Sequence, residues 1–231
     1  MSDEANDSPR ATKQPTEPAR TEPVSVSPAR RVVFIRHGQS TGNAGVPSSD
    51  LATIELTDLG WQQARAVAAG WAEAPTLLVT SPYLRTQQTA APTIERFPGV
   101  PVVVWPVEEF TYLQPVRWNG TLAAERAPRR LYYWNMADPT YCDGVGAESF
   151  GALLRRAEAT LHRLAALPAA SLVYVFSHGQ FIQAVRAVVT EATLDDRGKM
   201  LNFWQPGVPP AISNAEQVAF RLVDGHWQLV G

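Results

Sequence analysis

A chain of 231 residues, 45% of them hydrophobic, can bury one α/β core of about 200 residues without help from metals or disulfides. Its 20 basic and 22 acidic side chains leave a formal charge of −2, which gives no bulk attraction to nucleic acid, so any anion must be held by a local cluster of cations. The single Cys142 excludes an intrachain disulfide and a multi-cysteine metal site, no apolar run approaches the roughly 18 residues of a membrane span, and the N-terminus lacks the apolar segment of a signal peptide, so the expected location is cytoplasmic.

Residues 1–29 are rich in Ser, Thr, Pro and mixed charge with no periodic apolar face, which predicts a disordered tail ahead of one domain over 30–231. Val32–Ile35 reads as a strand buried on both faces. It breaks at once into Arg36-His37-Gly38, placing a cation and an imidazole at the carboxyl end of a strand, where open α/β sheets bind ligands. Gly38 leaves room for close backbone approach. The loop from Gln39 to Leu51 offers backbone N–H groups and the short side chains of Ser40, Thr41 and Asn43 to a phosphate. Thr57 is an N-cap candidate for a helix running to about Glu73, with Leu59, Ala66, Val67 and Gly70 as its packing face.

Leu77–Val79 is the second strand, and it delivers Ser81-Pro82-Tyr83-Leu84-Arg85. Pro82 suits the first turn of a helix. Arg85, about one turn in, can point back to the strand end, where its conflict with the helix dipole is relieved by a bound anion. Pro92 is expected to kink or end this helix. Val102–Trp105 is the third strand, followed by Glu108 and Glu109, which face opposite ways in extended chain so that one of them reaches the cleft. Residues 114–146 carry Arg117, Trp118, Asn119, Arg126, Arg129, Arg130, Tyr132, Tyr133 and Trp134. Two readings of this segment stay open: a lid in which Arg117 and Trp118 contact the substrate, or a cap helix whose aromatics are core.

Glu148-Ser149-Phe150 opens a helix to about Leu167, with Phe150, Leu153, Leu154, Ala157, Leu161 and Leu164 on one side. Leu172–Phe176 is then a buried strand ending in Ser177-His178-Gly179-Gln180, a second copy of the arrangement at Arg36, with a helix from about Gln180 to Thr190. The other two histidines, His162 and His226, read as structural. Asn214 to Leu222 is a strand, Asp224-Gly225 a tight turn, and Trp227 to Val230 the return strand.

Four motifs stand in register: Arg36-His37-Gly38-Gln39-Ser40 with Asn43, Leu56-Thr57-Asp58-Leu59-Gly60, Ser81-Pro82-Tyr83-Leu84-Arg85 continuing to Ala90, and Ser177-His178-Gly179. In this order they resemble the histidine phosphatase superfamily, also called phosphoglycerate mutase-like, over residues 31 to 223. The resemblance implies a three-layer α/β/α sandwich with a mixed, mostly parallel central sheet. It implies a phosphatase of the histidine acid phosphatase type that needs no cofactor and no metal. His37 is then the nucleophile that forms a phosphohistidine. Arg36, Arg85 and a protonated His178 clamp the phosphate, with Ser40, Thr41, Asn43 and Gly179 in the substrate site. His178 is expected to be protonated beside an anionic substrate, and His37 kept neutral by Arg36 and Arg85.

The resemblance favours Glu109 over Glu108 as general acid, because Phe110-Thr111-Tyr112 follows it. Glu148-Ser149 resembles a Gly-Glu-Ser element near the active-site mouth, and Asn214 a residue that steadies the site. The segment 114–146 departs from the Gly-x-x-Glu-Gly pattern of some members. The substrate is expected to be a small-molecule phosphomonoester or a phosphoprotein, with no nucleic-acid or membrane partner and a homodimer among the options. A phosphoglycerate mutase and a non-catalytic phospholigand-binding module remain as alternatives.

Overall fold

The computed structural model describes residues 29–204 and 212–230; apart from Ala29, the predicted tail lies outside the described residues. Six strands form one sheet: β1 (Arg30–Arg36), β2 (Leu77–Thr80), β3 (Val102–Val104), β4 (Leu172–Ser177), β5 (Gln217–Val223) and β6 (His226–Leu229). Their order is β3-β2-β4-β1-β5-β6. The pairings β2–β3, β2–β4 and β1–β4 are parallel, while β1–β5 and β5–β6 are antiparallel. The described helices are α1 (Asp58–Gly70), α2 (Leu84–Arg96), α3 (Pro115–Trp118), α4 (Ala123–Met136), α5 (Phe150–Ala165), α6 (Gly179–Thr190) and α7 (Asp196–Phe203).

The continuous apolar run of β4 is explained by its place between β2 and β1, where all six residues are buried. Alternate side chains serve opposite layers. Val173 and Val175 join Phe34 and the apolar faces of α5 and α6, whereas Leu172, Tyr174 and Phe176 join Ile35, Val67, Trp71 and Ala90 of the layer containing α1 and α2. The result is the expected three-layer sandwich. Because β1 and β4 are parallel neighbours with Arg36 opposite Ser177, the two strand-end histidines emerge side by side. The six apolar residues assigned to the inner side of α5 are all buried, and Ser149 caps this helix by accepting from Ala152 N.

Several local expectations are corrected. Thr57 does cap α1, accepting from Gly60 N at 3.1 Å, but the helix ends at Gly70. Its packing face is Gly60, Ala64, Val67 and Ala68, with Leu59 46% exposed and Ala66 and Gly70 on the solvent side. Small residues all round this helix left its face ambiguous in sequence. Pro92 does not end α2, which continues to Arg96. Thr89, Ala90 and Thr93, on either side of the proline, are buried, and this packing outweighs the missing N–H. β3 lies at the sheet edge with Val102 and Val104 exposed. β5 starts at Gln217, after a turn with Ala215 at φ 61°. Asp224 and Gly225 both have positive φ (49° and 79°), as a two-residue hairpin requires.

Candidate active site

His37 and His178 follow β1 and β4 with ring centroids 5.1 Å apart; His37 is 3% exposed and His178 fully buried. Arg85, the second residue of α2, reaches back to both. Its Nε donates to His37 Nε2 (3.1 Å), its Nη2 to His178 Nδ1 (3.0 Å), and its Nη1 to the Leu51 carbonyl (2.7 Å). An arginine only donates, so these two imidazole nitrogens carry lone pairs. The network then fixes both tautomers. His37 Nδ1–H donates to the Gly38 carbonyl at 2.7 Å, and His178 Nε2–H donates to Ser81 Oγ at 2.8 Å. Ser81 Oγ also accepts from Tyr83 N (3.2 Å) and donates to Thr86 Oγ1 (2.8 Å), which in turn donates to the Tyr83 carbonyl (2.7 Å).

Burial, reinforced by Arg85 and Arg36 against the opposing Gly38 carbonyl, holds His37 well below the usual imidazole value. Burial and then Arg85 do the same to His178. A protonated His178 is the expectation beside an anionic substrate; in the arrangement described here its Nδ1 accepts from Arg85. In each imidazole the nitrogen that would take a second proton is the one facing Arg85, which opposes protonation of both. Burial also pushes Arg85 down to about 10, opposed by Glu109.

These depressions carry a stability consequence. Below about pH 6.5 the unfolded chain binds protons at His37 and His178 that the folded chain refuses, so stability is present above that value and lost as pH falls toward the folded pKa values. Each histidine contributes a slope of up to about 1.4 kcal/mol per pH unit. Denaturant unfolding at pH 7, 6 and 5 should show this loss, and a His178→Gln chain should lose less; an unchanged slope in that variant would refute the assignment.

Arg36 donates through Nη1 to the Ile212 carbonyl (2.6 Å), while its buried Nε has no partner among the described residues. A Cβ on Gly179 would lie 3.3 Å from that Nε, so Gly179 leaves space for Arg36 rather than lining the cavity. Thr41 does not line the cavity either; its backbone pairs with Glu55 and Val46. Ser40 and Asn43 do line it. Asn43 Oδ1 accepts from Ser40 N (3.2 Å), Ser40 Oγ (3.0 Å) and Asn214 Nδ2 (3.1 Å), and Asn214 Nδ2 also donates to the His37 carbonyl (3.0 Å).

The Leu56–Gly60 motif is the backing of this loop. Thr57 N donates to the Gln39 carbonyl at 2.9 Å, and a Cβ on Gly60 would come within 2.1 Å of that same oxygen. Gly38 is equally tight, its added Cβ falling 2.6 Å from the Gly60 carbonyl oxygen. Gly60→Ala must move backbone directly beneath His37. It is expected to cost about 1–3 kcal/mol in denaturant unfolding and to lower activity; a variant with wild-type stability would contradict this account.

Glu109 lines the cavity with Arg36, His37 and Arg85, and its Oε1 accepts from Phe110 N (3.0 Å) and from Gln180 N at the start of α6 (3.1 Å). Glu108 does not line it, and its Oε2 is buried without a partner among the described residues. The backbone before Glu109 is fastened from behind. Arg156 Nη1 donates to the carbonyls of Pro106 (3.1 Å) and Glu108 (2.9 Å), while its Nε and Nη2 form a bidentate pair with Glu148 (3.0 and 2.7 Å). Glu148 N donates to the Thr111 carbonyl (2.8 Å), and Ser177 Oγ to the Val107 carbonyl (2.6 Å). Sequence reasoning missed Arg156, because an arginine on an amphipathic helix has no distinguishing signal. Ser81 was visible in its motif, but its bond to His178 was not.

The cavity holds about 340 Å³. Both readings of residues 114–146 apply, to different side chains. Tyr133 and Trp134 are buried among Phe110, Phe150 and Phe203, whereas Trp118, Asn119 and Arg126 line the cavity. Arg117 is a correction: it is exposed, stacked at 5.1 Å over the Trp118 ring, and outside the cavity lining. The cap is tied to the loop after β1 by Gly120 N to the Ser48 carbonyl (2.6 Å) and Asn119 Nδ2 to the Ser49 carbonyl (3.1 Å). His162 and His226 line a separate cavity beside Trp227. Among the described residues no group of three or more His, Cys, Asp or Glu is placed to hold a metal ion, and no helix is long and apolar enough to cross a membrane.

Two histidines from adjacent parallel strands, bridged by one arginine, agree with the family assignment: residues 32–229 match the model of the histidine phosphatase superfamily (branch 1), and the chain belongs to that superfamily. It is 28% identical over 181 residues to a metal-independent phosphoserine phosphatase of Arabidopsis thaliana, covering 76% of this chain and 74% of that protein. It is 29% identical over 177 residues to a glucosyl-3-phosphoglycerate phosphatase of Mycolicibacterium vanbaalenii, covering 72% and 77% respectively. Among solved structures, a mycobacterial glucosyl-3-phosphoglycerate phosphatase in complex with inorganic phosphate superposes with a TM-score of 0.67 at 26% identity, covering 88% of this chain and 96% of that one.

Proposed function

We propose that this chain is a metal-independent phosphomonoester hydrolase working through a phosphohistidine on His37. The observation that carries the reading is the placement of the His37 ring: Nδ1 lies 2.7 Å from the Gly38 carbonyl, which assigns the proton there and leaves Nε2 as a lone pair beside Arg85 in a cavity shared with Arg36 and Glu109. Arg36 and Arg85 neutralise the nonbridging phosphate oxygens, a task that bound magnesium performs in other phosphoryl-transfer sites. Binding draws the Arg85 guanidinium from imidazole to phosphate and uncovers the nucleophile.

The lone pair on Nε2 forms the N–P bond as the ester P–O bond breaks, and the leaving oxygen takes the proton of Glu109. In the second half Glu109, now a carboxylate, takes a proton from water while the water oxygen bonds to phosphorus. The N–P bond breaks, the electron pair returns to Nε2, and phosphate leaves. His178, whose Nδ1 accepts from Arg85, positions that guanidinium. The names of the relatives, phosphatases of phosphoserine and of glucosyl-3-phosphoglycerate, support hydrolysis of a small phosphorylated metabolite. They also favour hydrolysis over the mutase alternative.

The test is rapid-quench incubation of the full chain with p-nitrophenyl phosphate in EDTA. A phosphoprotein that is labile in acid, stable in base, and mapped to His37 by mass spectrometry is expected. Turnover with no phosphohistidine, or turnover abolished by EDTA, would overturn the mechanism.

A further inference from the structure

We infer that the substrate carries a carboxylate in addition to its phosphate, and that Arg126 of the cap receives it. The inference rests on the hydrolase reading above for the phosphate end of the site, and on the charges lining the cavity for the rest. Three arginines, Arg36, Arg85 and Arg126, line that cavity against a single carboxylate, Glu109. A phosphomonoester brings close to two negative charges, which Arg36 and Arg85 match. Arg126 is left over.

Its surroundings distinguish it from the other arginines of the cap. Arg129 is paired with Asp143, Arg130 lies over the Trp204 ring at 5.4 Å, and Arg117 lies exposed over Trp118. Arg126 is half-buried, and Nη1 donates only to the neutral carbonyl and hydroxyl of Thr121. No carboxylate pairs with it among the described residues. A partly desolvated guanidinium without a counter-ion is costly, and its planar fork suits a carboxylate. With Glu109 carrying the proton it donates to the leaving group, one carboxylate with one phosphate balances the three arginines, whereas a second phosphate would exceed them.

The cavity, about 340 Å³ with Trp118 in its wall, has room for an organic acid joined to the phosphate. The substrate class is therefore a small phosphorylated hydroxy or amino acid. A phosphoserine inside a polypeptide has its carboxyl group tied up as an amide and does not satisfy Arg126, which separates this class from phosphoproteins.

The test uses two probe pairs that differ in the carboxylate: 3-phosphoglycerate against glycerol 3-phosphate, and phosphoserine against phosphoethanolamine. Affinities are measured by calorimetry on the full chain carrying His37→Ala, so that turnover does not intervene. Wild-type turnover of p-nitrophenyl phosphate is measured in parallel. In each pair the carboxylate is expected to improve affinity about tenfold, a preference that shrinks with added salt. Adding Arg126→Gln should bring both ratios within about twofold of one, and Arg126→Lys, which keeps the charge and loses the fork, should give intermediate ratios.

Ratios near one in the His37→Ala chain, ratios untouched by Arg126→Gln, equal losses on both members of a pair, or no binding of any probe would each overturn the inference. If Arg126→Gln fails to fold, the Arg126→Lys ratios decide, and an unreduced preference there refutes the fork. Carboxylate preference that depends on Arg126, in a wild-type chain that turns over no p-nitrophenyl phosphate, would uphold this site while removing the hydrolase reading.

Discussion

Replacing His37 with alanine is expected to lower kcat by about 10⁴-fold or more, equivalent to about 5.5 kcal/mol of activation free energy. Among the described residues His37 is the one imidazole that lines the cavity. His178 is fully buried, with Nδ1 accepting from Arg85 and Nε2 donating to Ser81. Phosphate affinity should survive the substitution, since Arg36 and Arg85 remain and Arg85 Nε loses a competing acceptor. Steady-state kinetics with p-nitrophenyl phosphate and phosphate binding by calorimetry would read both quantities. Near-wild-type turnover, or phosphate binding lost together with turnover, would show that His37 does something other than attack phosphorus.

The second large effect is expected at Glu109 and depends on the leaving group. With an alkyl phosphate the departing alkoxide needs a proton, and Glu109→Gln should slow phosphoenzyme formation about 10²- to 10⁴-fold. With p-nitrophenyl phosphate the leaving oxygen needs little help, so formation should slow by less than about tenfold. Glu108→Gln should leave both substrates within about threefold of wild type, because that side chain lies outside the cavity lining. Single-turnover rates on the four enzyme and substrate combinations decide the matter. Leaving-group sensitivity at Glu108 instead would transfer the acid role to it.

Much of this architecture was legible in the chain because the signals are local. Two apolar runs that each end in a polar residue, His and Gly need only parallel, adjacent strands to bring the histidines together, and β1 and β4 provide that. Arg85 was legible because a residue near the start of a helix that follows a strand must face the strand ends. What escaped depends on tertiary surroundings. The downward pull on the His178 pKa comes from complete burial and then from Arg85, which no spacing encodes. Arg117 and Arg126 look alike in sequence, yet one is exposed and the other faces the cavity, because that choice is made by how α3 and α4 lie on the loop after β1. Arg156 acts through two carbonyls about fifty positions upstream, and a lone arginine on α5 carries no trace of that contact.

The fastening of the segment before Glu109 has an evolutionary reading. Pro106, Val107 and Glu108 hang from α5 and β4 through Arg156 and Ser177, and the Glu109 carboxylate rests on the first turn of α6. All of those anchors belong to the sandwich and none to residues 114–146. Hydrogen bonding thus holds the proposed proton donor without help from the cap, and the packing of Phe110 on Tyr133 and Trp134 is what couples its station to changes in the cap over descent.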